Sequence, residues 1–598
     1  MRANTPPIPS NNPLSGAMKK PSFFQRSELT ATLWSFRREF AVCMIFSMVV
    51  NLLMLTPSLY MLQVFDRVLV SYNQLTLVAL TLVMLFLFIV MAFAEWSRSR
   101  LLVRAGVRLD QQLNSRVFNA SFEAYLNQLG HNPVQAFTDL TNVRQFLTGN
   151  GLFAFMDAPW MPIYMVVCYL LHPMLGLLSL IFAVILIVVA WVGNRLTQAP
   201  VENASQSGVQ VNTFVHSKLR NAEVIESLGM LGDLRRRWLT RHQQHLALNA
   251  KSHDIGTRVQ AFTKFVRYTF QSLSLGAGAL LVIEGELSPG AMIAANILMA
   301  RALQPIDLLV GTWKSFIAAR SAFVRLEDLL AKHPERPAGA IHATPQGHMR
   351  LENLIATAPG RETPILKGLS ADFPAGGVVA VIGPSGSGKS TLARALVGIW
   401  PNVSGKVLID GEPIQSWNRD ELGPHLGYLP QDMELFDGTI AENIARFGII
   451  DAEKVIQAAT RAGVHDMILH FPRGYDTTMG EAGNLLSGGQ RQRIGLARAM
   501  YGDPSVIVLD EPNSNLDDVG EAALVKAVQD LKAQGKTVFL ITHRTHIVGV
   551  ADRILVLRDG AIQIYGTRDE VIAALQPRAA QAPPADAGGE APPAAQPA

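Results

Sequence analysis

The sequence predicts a multi-domain chain: an α-helical domain of six membrane-spanning helices, followed by a separate α/β domain on a parallel sheet. Three observations carry this. Six runs of about twenty mostly apolar residues, the length a bilayer demands, crowd the first half. Charged residues are only 17% of the 598, against about 25% in a soluble domain, and the deficit sits in that first half. After Ala331, apolar strand-like runs alternate with helical stretches, as in a parallel α/β sheet.

The spans run near Phe40–Leu62, Leu75–Trp96, Gly151–Leu171, Met174–Val192, Phe262–Ile283 and Pro289–Val310. His172-Pro173, between the third and fourth, is too short for anything but a tight turn. Residues 1–38 form a polar N-terminal segment without the apolar core and cleavage site of a signal peptide. Residues 39–330 make the membrane domain, 331–346 a linker, 347–576 the α/β domain, and 577–598 an Ala/Pro-rich tail whose composition predicts disorder.

Charge placement orients the spans. Lys19, Lys20, Arg26, Arg37 and Arg38 precede the first. Arg98, Arg100, Arg104, Arg108 and Arg116 follow the second, and Arg235, Arg236, Arg237 and Arg241 lie between the fourth and fifth. The opposite connections hold little more than Asp66, Arg67, His172, Glu284 and Glu286. Lys and Arg collect on the cytoplasmic side, so both termini and the two long connections, about Ser97–Asn150 and Gly193–Ala261, are expected in the cytoplasm. Their helical periodicity predicts extensions of the spanning helices. The net charge of +4 and pI of about 9.0 follow this arrangement and predict contact with membrane lipid, not nucleic acid. Cys43 and Cys168 fall inside apolar spans and suggest neither a disulfide framework nor a metal site.

Some charges sit in or beside the spans. Asp157 lies in the third; Arg301 and Asp307 flank Pro305 in the sixth. Charges at membrane depth face a cavity or a partner, so these residues either line a path through the bundle or snorkel at its cytoplasmic edge. Pro305 is expected to kink or interrupt its helix. The basic run Leu234–Trp238 reads as a solvated helix face or as a contact for lipid headgroups or cargo.

In the α/β half, the strand Val378–Ile382 enters Gly383-Pro384-Ser385-Gly386-Ser387-Gly388-Lys389-Ser390-Thr391. This is the phosphate-cradling P-loop pattern. Glycines let backbone N–H groups approach phosphate oxygens, and the following helix N-terminus adds a favourable dipole. Lys389 is placed to meet the β- and γ-phosphates of ATP and Ser390 to supply an oxygen to Mg²⁺. A second buried strand, Ser505–Leu509, ends in Asp510 and Glu511. Asp510 is the candidate Mg²⁺ holder and Glu511 the candidate general base. A third, Thr537–Thr542, ends in His543, placed for the γ-phosphate. Leu486-Ser487-Gly488-Gly489-Gln490 opens a helix and offers a second anion site.

With these motifs in this order, the chain from about Phe40 to Ala574 resembles the ABC transporter family. Gln431 matches its Q-loop, Ser514-Asn515-Leu516-Asp517 its D-loop and Gly480-Glu481-Ala482-Gly483 its X-loop. The resemblance implies that Gln431 reaches Mg²⁺ and the attacking water. It also implies that Ser487, Gly488, Gly489 and Gln490, with Asp517, close over ATP held by a second cassette, so that the working unit is a homodimer. Ala358 stands where the family places an adenine-stacking aromatic, and Ile365 is the candidate apolar substitute. Closure is expected to pull on Ser121–Gly130 and Phe214–Gly229.

Several stretches are similar to type I secretion permease/ATPases of the protease-exporter kind. They are Tyr60–Leu69, Met156–Tyr164, Leu170–Gly176, Ala300–Pro305 and Asp510–Asp517. That similarity implies an inner-membrane exporter of an unfolded polypeptide with a C-terminal signal. It implies a periplasmic adaptor and a TolC-like outer-membrane channel as partners. The same motifs fit a homodimeric exporter of lipid, drug or peptide.

Overall fold

The computed structural model describes residues 27–127, 133–219, 221–335, 343–361, 363–479, 486–542 and 544–575. Residues 1–26, the Gly480–Gly483 stretch, His543 and the tail after Pro577 lie outside the described residues. The chain divides into two compact units: most residues up to Glu335 form the first, and the residues after it, together with Leu126 and Asn127, the second.

The first unit is helical. Among the described residues, six helical segments are long and apolar enough to cross a membrane: Arg37–Ser71, Gln74–Asn127, Val134–Leu171, Pro173–Val215, Leu231–Ile283 and Pro289–Lys332. All six expected spans fall inside them. Only 6% of the most apolar window of the second is buried within the chain. Such a surface would drive aggregation in water and is satisfied by acyl chains. The 54-residue helix Gln74–Asn127 is roughly 80 Å long at 1.5 Å per residue. It outruns a hydrocarbon core of about 30 Å. The second, fourth and fifth spans thus continue unbroken into the long connections, as their periodicity predicts, while the third is preceded by a separate helix, Pro133–Thr148.

The helices also depart from the expected pattern. The first span is built from Arg37–Leu53 and Thr56–Gln63, then a π-helical turn Val64–Val68 that carries Asp66 and Arg67. The third breaks at the 3-10 turn Ala158–Trp160, where Pro159 cannot donate a backbone hydrogen bond. Of the two outcomes expected at Pro305, a kink or an interruption, the helix is not interrupted: Pro289–Lys332 runs through it. Pro305 is buried beside Leu303 and Ile306, and that packing outweighs the lost hydrogen bond. A short helix, Glu28–Ser35, opens on a capping box between Ser27 and Thr30.

Buried polar groups tie the bundle together. Arg98, whose side chain is 5% exposed, donates to Asp157 Oδ1 at 2.8 Å and to Ser47 Oγ at 2.9 Å. Asn51 donates to the same Asp157 oxygen at 3.0 Å, and the Tyr164 hydroxyl donates to the Asn51 carbonyl at 2.8 Å. The guanidinium also lies over the Phe153 ring, 4.3 Å from its centroid. Asp307 pairs with Arg267 at 2.9 Å, while Arg301 donates to Gln304 at 3.0 Å. Asp157 and Asp307 therefore face partners within the bundle. Asp66 caps the sixth span by accepting from Ser288 Oγ and, at 2.8 Å, from the Gly290 N–H.

Breaking a buried ion pair strands a desolvated charge at a cost of about 3–5 kcal/mol. Asp157→Asn should therefore lower the denaturation midpoint of the solubilised protein, and removing both charges with Arg98→Leu should restore part of the loss. A transport defect in Asp157→Asn with unchanged stability would put the pair on the cargo path instead.

The second unit is an α/β domain. A six-stranded sheet runs in the order Ala561–Thr567, Arg553–Arg558, Val378–Ile382, Thr537–Ile541, Val506–Asp510, Leu426–Leu429. The first pair is antiparallel and the rest parallel. The central strands are buried on both faces, which is why their sequences read as unbroken apolar runs. A four-stranded antiparallel sheet is ordered Pro364–Phe373, Met349–Thr357, Val403–Ile409, Glu412–Pro413. One apolar cluster joins the two sheets, with Phe373 edge-on to Phe539 at 4.9 Å. A second cluster packs helices, among them Gly488–Met500 and Asp518–Ala533, on the six-stranded sheet. Arg446 is half-buried beside the helix Gly488–Met500, donating to the carbonyls of Gly423, Leu426, Arg498 and Ala499 at 2.8–3.0 Å. Burial, with the Arg498 guanidinium nearby, pushes it down to about 10, so it stays charged at neutral pH.

Candidate active site

The parallel strands end together. Ile541 pairs with both Val381 and Asp510, and Leu429 pairs with Leu509. The carboxyl ends of four strands thus deliver the P-loop, Thr542, Asp510-Glu511 and Pro430-Gln431 to one edge, where open α/β sheets bind ligands.

The P-loop leaves Ile382 and feeds the helix Lys389–Leu396. Two glycines are sterically required. Gly383 has φ +155°, and a Cβ there would meet the Leu557 carbonyl at 2.1 Å. Gly388 has φ +99°, and its Cβ would press on Leu366 Cδ2 at 2.8 Å and Ile365 Cγ2 at 3.3 Å. Ile365 therefore lies against the loop. Ala358 follows the strand Met349–Thr357, whose last carbonyl accepts from the Trp400 indole N–H at 2.9 Å. Lys389 Nζ curls over the loop and donates to the carbonyls of Gly383 (3.0 Å) and Pro384 (2.9 Å). Ser387 is buried, and its hydroxyl has no partner among the described residues.

Asp510 is 1% exposed and its Oδ1 has no partner among the described residues. Burial lifts its carboxyl above the usual range; the Ser390 hydrogen bond opposes this, and the neighbouring Glu511 adds to it. A desolvated carboxylate with an orphaned oxygen, linked to the first hydroxyl of the P-loop helix, fits a hard divalent cation.

Glu511 adopts a left-handed backbone, φ +48°. That is costly for a non-glycine residue, and such strain clusters at functional sites. Its N–H donates to the Ile541 carbonyl at 3.0 Å, and its Oε2 accepts from Gln431 Nε2 at 3.1 Å.

The signature residues sit at the start of the helix Gly488–Met500. Ser487 and Gln490 cap it reciprocally: Gln490 N–H donates to Ser487 Oγ at 3.3 Å and Ser487 N–H to Gln490 Oε1 at 2.8 Å. A Cβ on Gly489 would meet the Asn515 carbonyl at 2.6 Å, so the helix packs directly on the D-loop. Asp517 caps the next helix, accepting from the Gly520 N–H at 2.9 Å.

One residue that no motif marks joins these parts. Gln492 is 3% exposed. Its amide donates to the Glu511 carbonyl at 3.0 Å, and its oxygen accepts from the Asn515 N–H at 3.1 Å. In Arg491-Gln492-Arg493 it looks like one more polar residue of a solvated helix. Gln492→Ala should unmoor both Glu511 and the D-loop and lower ATP turnover by roughly tenfold or more, the scale of a lost positioning contact. Gln492→Glu keeps the acceptor for Asn515 and should recover only part of the rate.

Fold and site together define a multi-pass membrane protein that carries a P-loop ATPase domain. Residues 366–514 match the ABC transporter family model, and residues 40–306 match the model of the ABC transporter transmembrane region. The chain is 42% identical over 550 residues to the type I secretion system ATP-binding protein PrsD of Rhizobium meliloti, covering 92% of this chain and 94% of that one. The chain belongs to the ABC transporter family, as its motifs imply. It is also 29% identical over 543 residues to the leukotoxin translocation ATP-binding protein LktB of Mannheimia haemolytica, covering 90% of this chain and 77% of that one. A bacterial Atm1-family ABC exporter with ATP bound shares the fold, with a TM-score of 0.78 at 21% identity over 90% of this chain and 96% of that one.

Proposed function

We propose that the chain is the ATP-driven inner-membrane permease of a type I secretion system, exporting an unfolded polypeptide with a C-terminal signal, such as an RTX-type protease or lipase. The observation that carries this is similarity along almost the whole length of a type I secretion protein, membrane half included, in a chain whose strand ends assemble an ATP site. Two copies work together, because the signature helix of one serves the P-loop of the other. Both termini and the ATPase unit are cytoplasmic, and a periplasmic adaptor and a TolC-like outer-membrane channel complete the path.

At the site, Lys389 and the P-loop amides hold the ATP phosphates. Ser390, Asp510 and Gln431 are the residues that would hold Mg²⁺, which neutralises charge on the phosphates. Glu511 takes the proton of the attacking water, Gln431 orients that water, and His543 meets the γ-phosphate. Ile365 takes up part of the adenine contact. Ser487, Gly488, Gly489, Gln490 and Asp517 act on the ATP of the other copy.

Adding the C-terminal segment of the cognate cargo to the purified full chain should shift its apparent affinity for ATP by roughly fivefold or more, the usual scale of coupling between two sites. No shift with that segment, alongside a shift with a lipid or drug, would overturn the cargo assignment.

A further inference from the structure

We infer that the membrane unit carries a binding site for an anionic phospholipid with a hydroxyl-bearing headgroup, in a cavity between the fourth, fifth and sixth spans. The inference rests on the multi-pass membrane reading and is independent of the cargo.

The cavity measures about 430 Å³ and is walled by Trp191 to Val201, Ser252 to Gln260 and Leu309 to Lys314. That size lies within the range of small-molecule sites, roughly 300–1,000 Å³. Its level in the membrane follows from the helices. Trp191 closes the apolar run of the fourth span, Lys314 lies just past that of the sixth, and Gln260 just precedes that of the fifth. The cavity therefore sits at the membrane boundary, on the side of the long helical extensions. Two tryptophans and a lysine at that level are the residue types that favour the headgroup region.

The chemistry of the walls selects the ligand. Three polar atoms of residues on these walls are enclosed without a partner among the described residues: Ser252 Oγ, Trp313 Nε1 and Asn194 Oδ1. Ser252 is 3% exposed. Lys314 Nζ lies 3.0 Å from His253 Nε2 at the same wall. An unmade buried hydrogen bond costs about 1–3 kcal/mol, so these groups call for an occupant. Water alone fits poorly: each buried water needs roughly two to four polar partners, and most of the wall is apolar, including Val201, Val259, Leu309 and Val310. A phosphodiester accepts from the Trp313 N–H, the Ser252 hydroxyl and the Lys314 ammonium. A headgroup hydroxyl donates to the Asn194 amide oxygen, and the first acyl methylenes cover the valines and leucine. Phosphatidylglycerol has all three parts. An unfolded peptide also offers donors and acceptors, but its neutral backbone gives Lys314 no anion.

The full chain, purified in detergent without ATP or cargo, can be tested with phosphatidylglycerol, phosphatidylcholine and glycerol 3-phosphate, reading retained ligand by native mass spectrometry. Phosphatidylglycerol should be retained, and phosphatidylcholine and the soluble headgroup should not. Lys314→Ala should weaken retention about fivefold, the worth of one cation beside an anionic lipid. Gly256→Leu should abolish it by filling the cavity: a Cβ at Gly256 meets nothing within 4 Å, and leucine favours the helix, so this variant should fold. Equal retention by Gly256→Leu and the parent overturns the site. Equal retention of the zwitterionic lipid overturns anion recognition, and equal binding of glycerol 3-phosphate overturns the lipid. A cargo-derived apolar peptide that binds the parent but not Gly256→Leu, with no lipid retained, assigns the cavity to cargo and overturns the proposal.

Discussion

Glu511→Gln keeps ATP bound and lowers its hydrolysis by roughly 10²–10⁴-fold, the share of one positioned general base. The expectation follows from how tightly this residue is held. Its backbone is pinned in a left-handed conformation, with its N–H on the Ile541 carbonyl and its own carbonyl on Gln492. Its side chain meets Gln431 at 3.1 Å. The amide of the variant has the same shape and can still accept from Gln431, so the site should not collapse. It cannot take a proton from water. ATP should therefore remain trapped and secretion should stop. Filter retention of labelled ATP beside a phosphate-release assay separates the two effects. Undiminished turnover would remove Glu511 from the role of base.

Which features were legible in the sequence depended on how local they are. Spans are local: each needs only a run of apolar residues, and all six fall inside the observed long helices. The P-loop is local too, because its glycine spacing encodes a backbone path. Partnerships across the fold were not legible. Asp157 stood out as a charge in an apolar span, but its partners, Arg98 and Asn51, lie 59 and 106 residues away in sequence. Nothing near Asp157 names them. Pro305 shows the complementary limit: the local rule allowed a kink or a break, and the helix continues where Pro305 is buried beside Leu303 and Ile306. Gln492 was invisible because its role is defined by the carbonyl of Glu511 and the N–H of Asn515, and backbone groups carry no sequence signal. The strand-end placement of Asp510 and Glu511 was legible because the apolar run before them is local.

Asp510→Asn should make the nucleotide-free protein more stable while abolishing its activity. Asp510 is enclosed, with one oxygen unpartnered, and burial lifts its carboxyl above the ordinary range. The folded state therefore binds this proton more tightly than the unfolded chain does. The group favours the fold at pH below the ordinary carboxyl range. It loses that contribution as pH rises through the lifted value, and at neutral pH the fold carries a desolvated charge. A neutral amide of the same shape relieves it. The gain should appear as a higher melting temperature at neutral pH, because the amide carries no charge to desolvate. The gap between parent and variant should shrink as pH falls and the parent carboxyl takes up its proton. ATP turnover should fall by roughly 10²-fold or more, because the amide cannot offer a full negative charge to a cation on the phosphates. Melting curves of both proteins without nucleotide, at neutral and acidic pH, give the stability arm, and phosphate release gives the other. A variant that melts below the parent at neutral pH would mean that Lys389, Arg394 and the Ser390 hydroxyl already compensate this carboxylate, and that the site holds no reserve of strain for a bound cation to relieve.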